Sequence, residues 1–183
     1  MCPAPVDCEP VFFHDVDHNV TDEESGWVRC NGGTVHYREA VLDCAHPVFF
    51  PACDGQPGDC ATDADCPGNE SCRDLWGSCS CLDQCMSDSD CKDGEVCACA
   101  GEAADGTWLV IKNECIPANC GGPGDCEGEC GCRGTEFFCG TLDGAFCPTQ
   151  SDDCHDNADC GGDRCAWEPQ EQRWTCQGWG ICE

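Results

Sequence analysis

The chain has 183 residues, a net charge of −28 from 36 acids against 8 bases, and 26 cysteines. Leu, Ile, Val and Phe together number only 25, and so few large apolar residues under so high a charge normally leave a chain unable to fold on a hydrophobic core. The charge also repels phosphate and so excludes nucleic acid as a partner, and no apolar run nears the ~18 residues of a membrane span.

Crosslinking is what remains to hold the chain. A disulfide typically adds ~2–4 kcal/mol, mainly by restricting the unfolded state, against a net stability of ~5–15 kcal/mol for an ordinary domain. All 26 cysteines are therefore expected to pair, giving 13 bridges, and such a scaffold belongs in an oxidising space, secreted and extracellular or on the outer cell surface. Met1 leads straight into "CPAPVDC" without a charged or apolar leader, which reads as a mature chain. An even cysteine count favours a bridged Cys2 over a lipidated one. The expected fold class is small and disulfide-rich, mostly β-hairpins and loops with little helix, in tandem cysteine-rich modules.

Residues 1–52 read as an N-terminal β-hairpin unit. "DCEPVFF" at 7 and "DCAHPVFF" at 43 are one phrase used twice. Between them "WVRC" and "TVHY" flank "NGG", whose residues suit the positive φ of a hairpin turn. Cys2, Cys8, Cys30 and Cys44 are expected to bridge this unit, with Phe12, Phe13, Phe49 and Phe50 as local core. In "DVDHNVTDEE" Asp15, Asp17 and Asn19 match the first three EF-hand ligand positions. Val20 then replaces the turn glycine and Gly26 the bidentate Glu, so calcium is a candidate ligand without an EF-hand. His14 and His18 with the same carboxylates have zinc or copper chemistry. The competing reading of the stretch is a solvated polar loop.

Four modules follow, at 53–81, 82–115, 116–147 and 148–183. Each carries C-x5-C, at Cys60/Cys66, Cys85/Cys91, Cys120/Cys126 and Cys154/Cys160, with a third cysteine read at Cys72, Cys97, Cys130 and Cys165. Asp65, Asp90, Asp125 and Asp159 stand before the second cysteine. Two readings are open. Asp side chains accept hydrogen bonds from nearby backbone N–H groups and fix tight bends, whereas carboxylates two residues apart, as in Asp63/Asp65 and Asp88/Asp90, can grip calcium. Hairpins are expected in "EVCACAGEAADGTWLVIKNEC", in "GTEFFCGTLDGAFC" and in "RCAWEPQEQRWTC", the last with Trp167 facing Trp174 and closed by a Cys165–Cys176 bridge, with Cys182 as the alternative partner of either cysteine.

No two cysteines are three apart, which removes the spacing that zinc ribbons and thioredoxin-like sites rely on. C-x-C occurs at Cys79/Cys81, Cys97/Cys99 and Cys130/Cys132, as in thiolate metal-storage proteins, but such proteins lack the aromatics present here. On a strand the pair sends two bridges to two faces. There is no G-x-S-x-G, H-E-x-x-H or phosphate loop, so the chain is not read as an enzyme.

Residues 81–115, with cysteine gaps of 3, 5, 5, 1 and 15, resemble an epidermal-growth-factor-like module. That resemblance implies Cys81–Cys91, Cys85–Cys97 and Cys99–Cys115. The phrase beginning at Cys60 also resembles whey-acidic-protein and colipase-like modules, without their adjacent cysteines. More broadly, "GWVRCNGGTVHYREAVLDC", the "DADC" repeats, "CIPANC" and "DDCHDNADCGGDRCAWEP" resemble secreted cysteine-rich repeat proteins of myxobacterial type. This implies secretion from a Gram-negative bacterium and brings no activity with it. The functional expectation is a secreted structural or adhesive protein, a disulfide-stapled module array in a bacterial surface assembly, partnered by itself or another surface protein. The alternative is a secreted binding module, such as a protease inhibitor or ligand-binding protein.

Overall fold

The computed structural model describes residues 6–15, 17, 19–31, 35–46, 50–53, 55–68, 70–75, 77–127, 131–136 and 141–178. Strands and loops dominate, and the helical segments are single 3₁₀ turns at Asp63–Asp65, Asp88–Asp90 and Asn157–Cys160. The protein is a small, disulfide-rich β structure.

The N-terminal segment supplies β1 (Glu9–His14), β2 (Val20–Cys30) and β3 (Val35–Arg38). Module 1 supplies β4 (Ser71–Leu75) and β5 (Ser78–Leu82). Module 2 supplies β6 (Glu95–Ala98), β7 (Gly101–Ala103), β8 (Trp108–Val110) and β9 (Glu114–Pro117). Module 3 has β10 (Cys132–Glu136) and β11 (Leu142–Phe146), and module 4 has β12 (Arg164–Glu168) and β13 (Arg173–Gln177).

Seven of these strands form one antiparallel sheet, in the order β11-β10-β3-β2-β1-β7-β8. It joins the N-terminal strands to those of modules 2 and 3, so residues 1–52 do not build a closed unit. The expected β2–β3 hairpin is present, with Trp27 opposite Arg38 and Cys30 opposite Val35. Alternation along β2 feeds two cores, because successive strand residues face opposite ways. Trp27 packs with Val11, Leu109, Val110, Ile116 and Leu142, while Val28 packs with Cys30, Val35 and Tyr37. On the Trp27 side β10 must carry glycine: a Cβ at Gly134 would lie 2.6 Å from Leu142 Cδ2 and 3.0 Å from the Trp27 ring. Phe13 is buried and Phe12 half-buried, Phe50 is half-buried, and Phe49 lies outside the described residues.

The module 2 hairpin differs from the sequence reading. "WLV" does turn back through Asp105–Gly106, but it pairs with β7, while "EVCA" reaches past this inner ribbon to pair with "ECIP" as β6–β9. The result is two nested ribbons, with Cys97 opposite Cys115 on the outer one and the intervening chain running out into the large sheet.

Eleven disulfides pair the described cysteines and none of these is free. Cys2, Cys130, Cys139 and Cys182 lie outside the described residues. Cys8–Cys30 ties β1 to β2, but Cys44 leaves the N-terminal segment to bond Cys99, 55 residues on.

Candidate functional site

The repeated element of the molecule is a clamp, and all four modules build it alike. Each module has a C-x5-C loop followed by a two-stranded ribbon with one facing pair of cysteines, each on or next to its strand. Cys72 faces Cys81, Cys97 faces Cys115 and Cys165 faces Cys176 across their ladders. In module 3 the register of Arg133 with Phe146 sets Cys132 beside Cys147 in the same way. These facing cysteines do not bond one another. The first loop cysteine takes the first strand (Cys60–Cys72, Cys85–Cys97, Cys120–Cys132, Cys154–Cys165), and the second takes the second strand (Cys66–Cys81, Cys91–Cys115, Cys126–Cys147, Cys160–Cys176).

Three expected bridges are thereby corrected. Cys165–Cys176 is absent because a cross-strand bond would tie two strands already held by their ladder and leave the loop loose. Two crossed bonds tie loop and both strands together. Cys81–Cys91 is absent because Cys81 sits on β5, in the preceding module, and bonds Cys66. Cys99–Cys115 is absent because Cys115 faces Cys97 and takes the loop cysteine Cys91, while Cys99, beyond the end of β6, is buried against Cys44. Cys85–Cys97 is present. The pairing implied by the growth-factor resemblance is therefore not the pairing of this chain.

A signal for the clamp lay in the spacing. First-loop to first-strand separations are 12, 12, 12 and 11 residues, whereas second-loop to second-strand separations are 15, 24, 21 and 16. The constant arm is the loop itself and the variable arm contains the hairpin turn. The constancy selects Cys132, not Cys130, as the third cysteine of module 3.

The loop aspartates close this clamp. Asp65 Oδ2 accepts the N–H groups of Ala61 and Thr62 at 3.0 and 2.8 Å, and Asp90 Oδ2 those of Met86 and Ser87 at 2.8 and 3.0 Å. Asp125 does the same with Gly121 and Gly122, and Asp159 with His155 and Asp156. Donated N–H bonds favour the ionised form, and they hold the carboxyls of Asp65, Asp90 and Asp159 below the usual carboxylate range.

Their partners two residues earlier reach across to the ribbon. Asp63 Oδ1 accepts the N–H of Cys72 and Asp88 Oδ1 that of Cys97, both at 2.9 Å. In module 4 the equivalent residue is Asn157, whose Oδ1 accepts the N–H of Cys165 at 2.7 Å. The amide oxygen shows that the bond does not need a charge, and module 3, with Pro123 in the same place, closes its clamp without it. Where the charge is present an arginine meets it: Arg73 pairs with Asp63 at 2.9 Å, and buried Arg38 pairs with Asp88 at 2.8 Å. Arg38 also donates to the carbonyl of Gly121, so one side chain of β3 gathers the loops of modules 2 and 3 onto the sheet.

The candidate calcium loop is also closed on itself. Asp15 Oδ1 accepts the N–H groups of Asp17 and Asn19, both at 2.9 Å, and the Asn19 amide donates to both Asp15 oxygens at 3.2 Å. These bonds, led by the Asn19 N–H, lower the Asp15 pKa. Asp17 and Asn19 are exposed. His14 turns inward from the same stretch, buried with Nε2 3.2 Å from Glu102 Oε2, and His18 lies outside the described residues. The structure thus brings Asp15 and Asn19 together, but as donor and acceptor. Sulfur clusters such as Cys44, Cys97 and Cys99 consist of disulfide sulfurs.

No family model, curated protein or solved structure matches the chain. No helix among the described residues is long and apolar enough to cross a membrane. The density of disulfides fits an extracellular protein.

Proposed function

We propose that the chain is a secreted structural or adhesive protein, a stapled module array that works in a bacterial surface assembly. The observation that carries this reading is the reuse of one crossed-disulfide clamp in four successive modules, with loop carboxylates spent on closing turns. A chain built this way gains rigidity and resistance to proteolysis from every repeat, because the bridges add to the apolar core of the shared sheet. Its acidic surface keeps it soluble, and assembly would then require partner contacts or screening by salt. Residues 82–115 and 116–147 share a sheet with the N-terminal strands, so the array has a fixed body to present to neighbours.

Electron microscopy and small-angle scattering of the native secreted material test this. Large, regular species, dispersed only by reductant or denaturant, are the expected result. A strictly monomeric particle at all salt and calcium concentrations contradicts it and favours a soluble binding module.

A further inference from the structure

Modules 3 and 4 meet around a small cavity lined by His36, Arg133, Glu136, Asn157 and Arg164, among others. It admits the centre of a water-sized sphere over about 10 Å3, which is room for one water or one monatomic ion. Its cationic walls are unusual in a chain with 36 acids and 8 bases. Arg133 is 2 % exposed. Its guanidinium lies over the Trp174 ring, 3.8 Å from the centroid, and its Nε has no hydrogen-bond partner among the described residues. Arg164 Nε is likewise buried without a partner, though its terminal nitrogens donate to the Glu136 carbonyl and, at 3.4 Å, to Gln177.

A buried guanidinium N–H left without an acceptor is costly, and the two Nε atoms call for an occupant that the protein atoms do not supply. The one carboxylate in the lining, Glu136, is engaged elsewhere: its Oε1 lies 2.7 Å from His36 Nδ1, close enough for an ion pair although off the axis of a hydrogen bond. Asp152, Asp156 and Asp159 act on Arg133, and Asp143 on Arg164, through space and without a close ion pair. Two arginines thus face one committed carboxylate across a space the size of a single atom. Water would accept from them without balancing the charge.

We propose that this cavity binds a small monovalent anion of halide size, chloride in saline media, held by Arg133 and Arg164 as a structural ion between modules 3 and 4. The site stands independently of the function proposed above. The test uses the full oxidised chain. Chloride-35 NMR should show excess line broadening that bromide displaces, and Arg164→Gln, which keeps a donor but loses the charge, should weaken the apparent affinity about tenfold. Crystals of the unaltered chain grown in bromide should show an anomalous peak in contact with both guanidiniums. Line widths indifferent to Arg164→Gln, or a water in place of the bromide peak, overturn the proposal. Should Arg164→Gln fail to fold, the bromide crystal decides alone.

Discussion

Modules 1 and 4 share one clamp and differ in what surrounds it. Among the described residues of module 1 the buried cluster is sulfur alone: Cys60, Cys72 and Cys79, with Cys53, Cys66 and Cys81 at its margin. In module 4 the same two bridges lie against Trp167 and Trp174, and Phe146 of module 3 stacks on Trp167 at 4.5 Å with 6° between the rings. Trp174 meets Trp167 edge-on at 5.9 Å, and Arg133 covers its face. Module 1 compensates with a third bridge, Cys53–Cys79, and with close backbone packing. A Cβ at Gly58 would lie 2.0 Å from the Cys79 carbonyl oxygen. The comparison teaches that one clamp topology is supported in two ways, by a third bridge and close backbone packing in the described part of module 1 and by aromatic packing in module 4.

The largest difference should come from deleting corresponding bridges. Replacing Cys66 and Cys81 by Ser removes about 2–5 kcal/mol from a module whose described buried cluster is built of cysteines, so hydrogen exchange should show residues 53–82 losing protection. The matching Cys160/Cys176 double variant should keep slow exchange in β12 and β13, because the indoles remain. Equal loss in both modules would break the comparison. Next in size, Trp174→Ala empties the centre of module 4 and should cost about 3–5 kcal/mol, read by denaturation with the bridges intact. Gly58→Ala should destabilise module 1 by forcing the strand against it to shift, with protection lost at Cys79 and its neighbours.

A smaller effect concerns the loop carboxylates. The folded pKa values of Asp65, Asp90 and Asp159 lie below the ordinary carboxylate value. Their contribution is therefore present above the unfolded pKa of about 4 and is lost as pH falls through the folded values. Melting curves should be flat above pH 5 and decline in acid. Asp90→Ala and Asp90→Asn should both flatten that decline, since neither titrates, but Asp90→Asn should keep more stability at neutral pH because its amide oxygen still accepts the Met86 and Ser87 N–H bonds. The smallest effect expected is that of calcium. The N–H bonds already made at Asp15 and at the Asp63/Asp65 and Asp88/Asp90 pairs compete with calcium for the carboxylates, so millimolar calcium should leave the melting temperature unchanged. A rise on calcium addition, reversed by chelator, would show that these loops open to take the ion.

Much of the fold was legible because its signals are local. The "NGG" turn marks β2–β3, the cysteine periodicity marks the modules, and paired tryptophans mark β12–β13. The Asp before each second cysteine also had a readable role, since an Asx-type bond to the preceding turn involves only four or five residues. What escaped was non-local. Nothing in "CACAGEA" announces that the ribbon of module 2 opens to pass β7 and β8 into a sheet with the N-terminal strands, because edge pairing is decided by which strands the tertiary fold brings together. Cys44–Cys99 depends on the same long-range packing. The clamp pairing was within reach through the nearly constant 12-residue arm, but the growth-factor-like gaps of 81–115 drew attention to a frame beginning one cysteine too early. The arginine-lined cavity had no sequence signature at all: Arg133, Arg164 and His36 come from three segments that only the packed modules bring near one another.

The clamp is the centre of this account, and peptide mapping of the unreduced protein tests it most directly. Cleavage between the loop and ribbon cysteines of each module should yield the crossed pairs, Cys60–Cys72 with Cys66–Cys81 and Cys154–Cys165 with Cys160–Cys176, together with the long link Cys44–Cys99. Recovery of Cys72–Cys81 or Cys165–Cys176, the cysteines that face each other across the ladders, would contradict it.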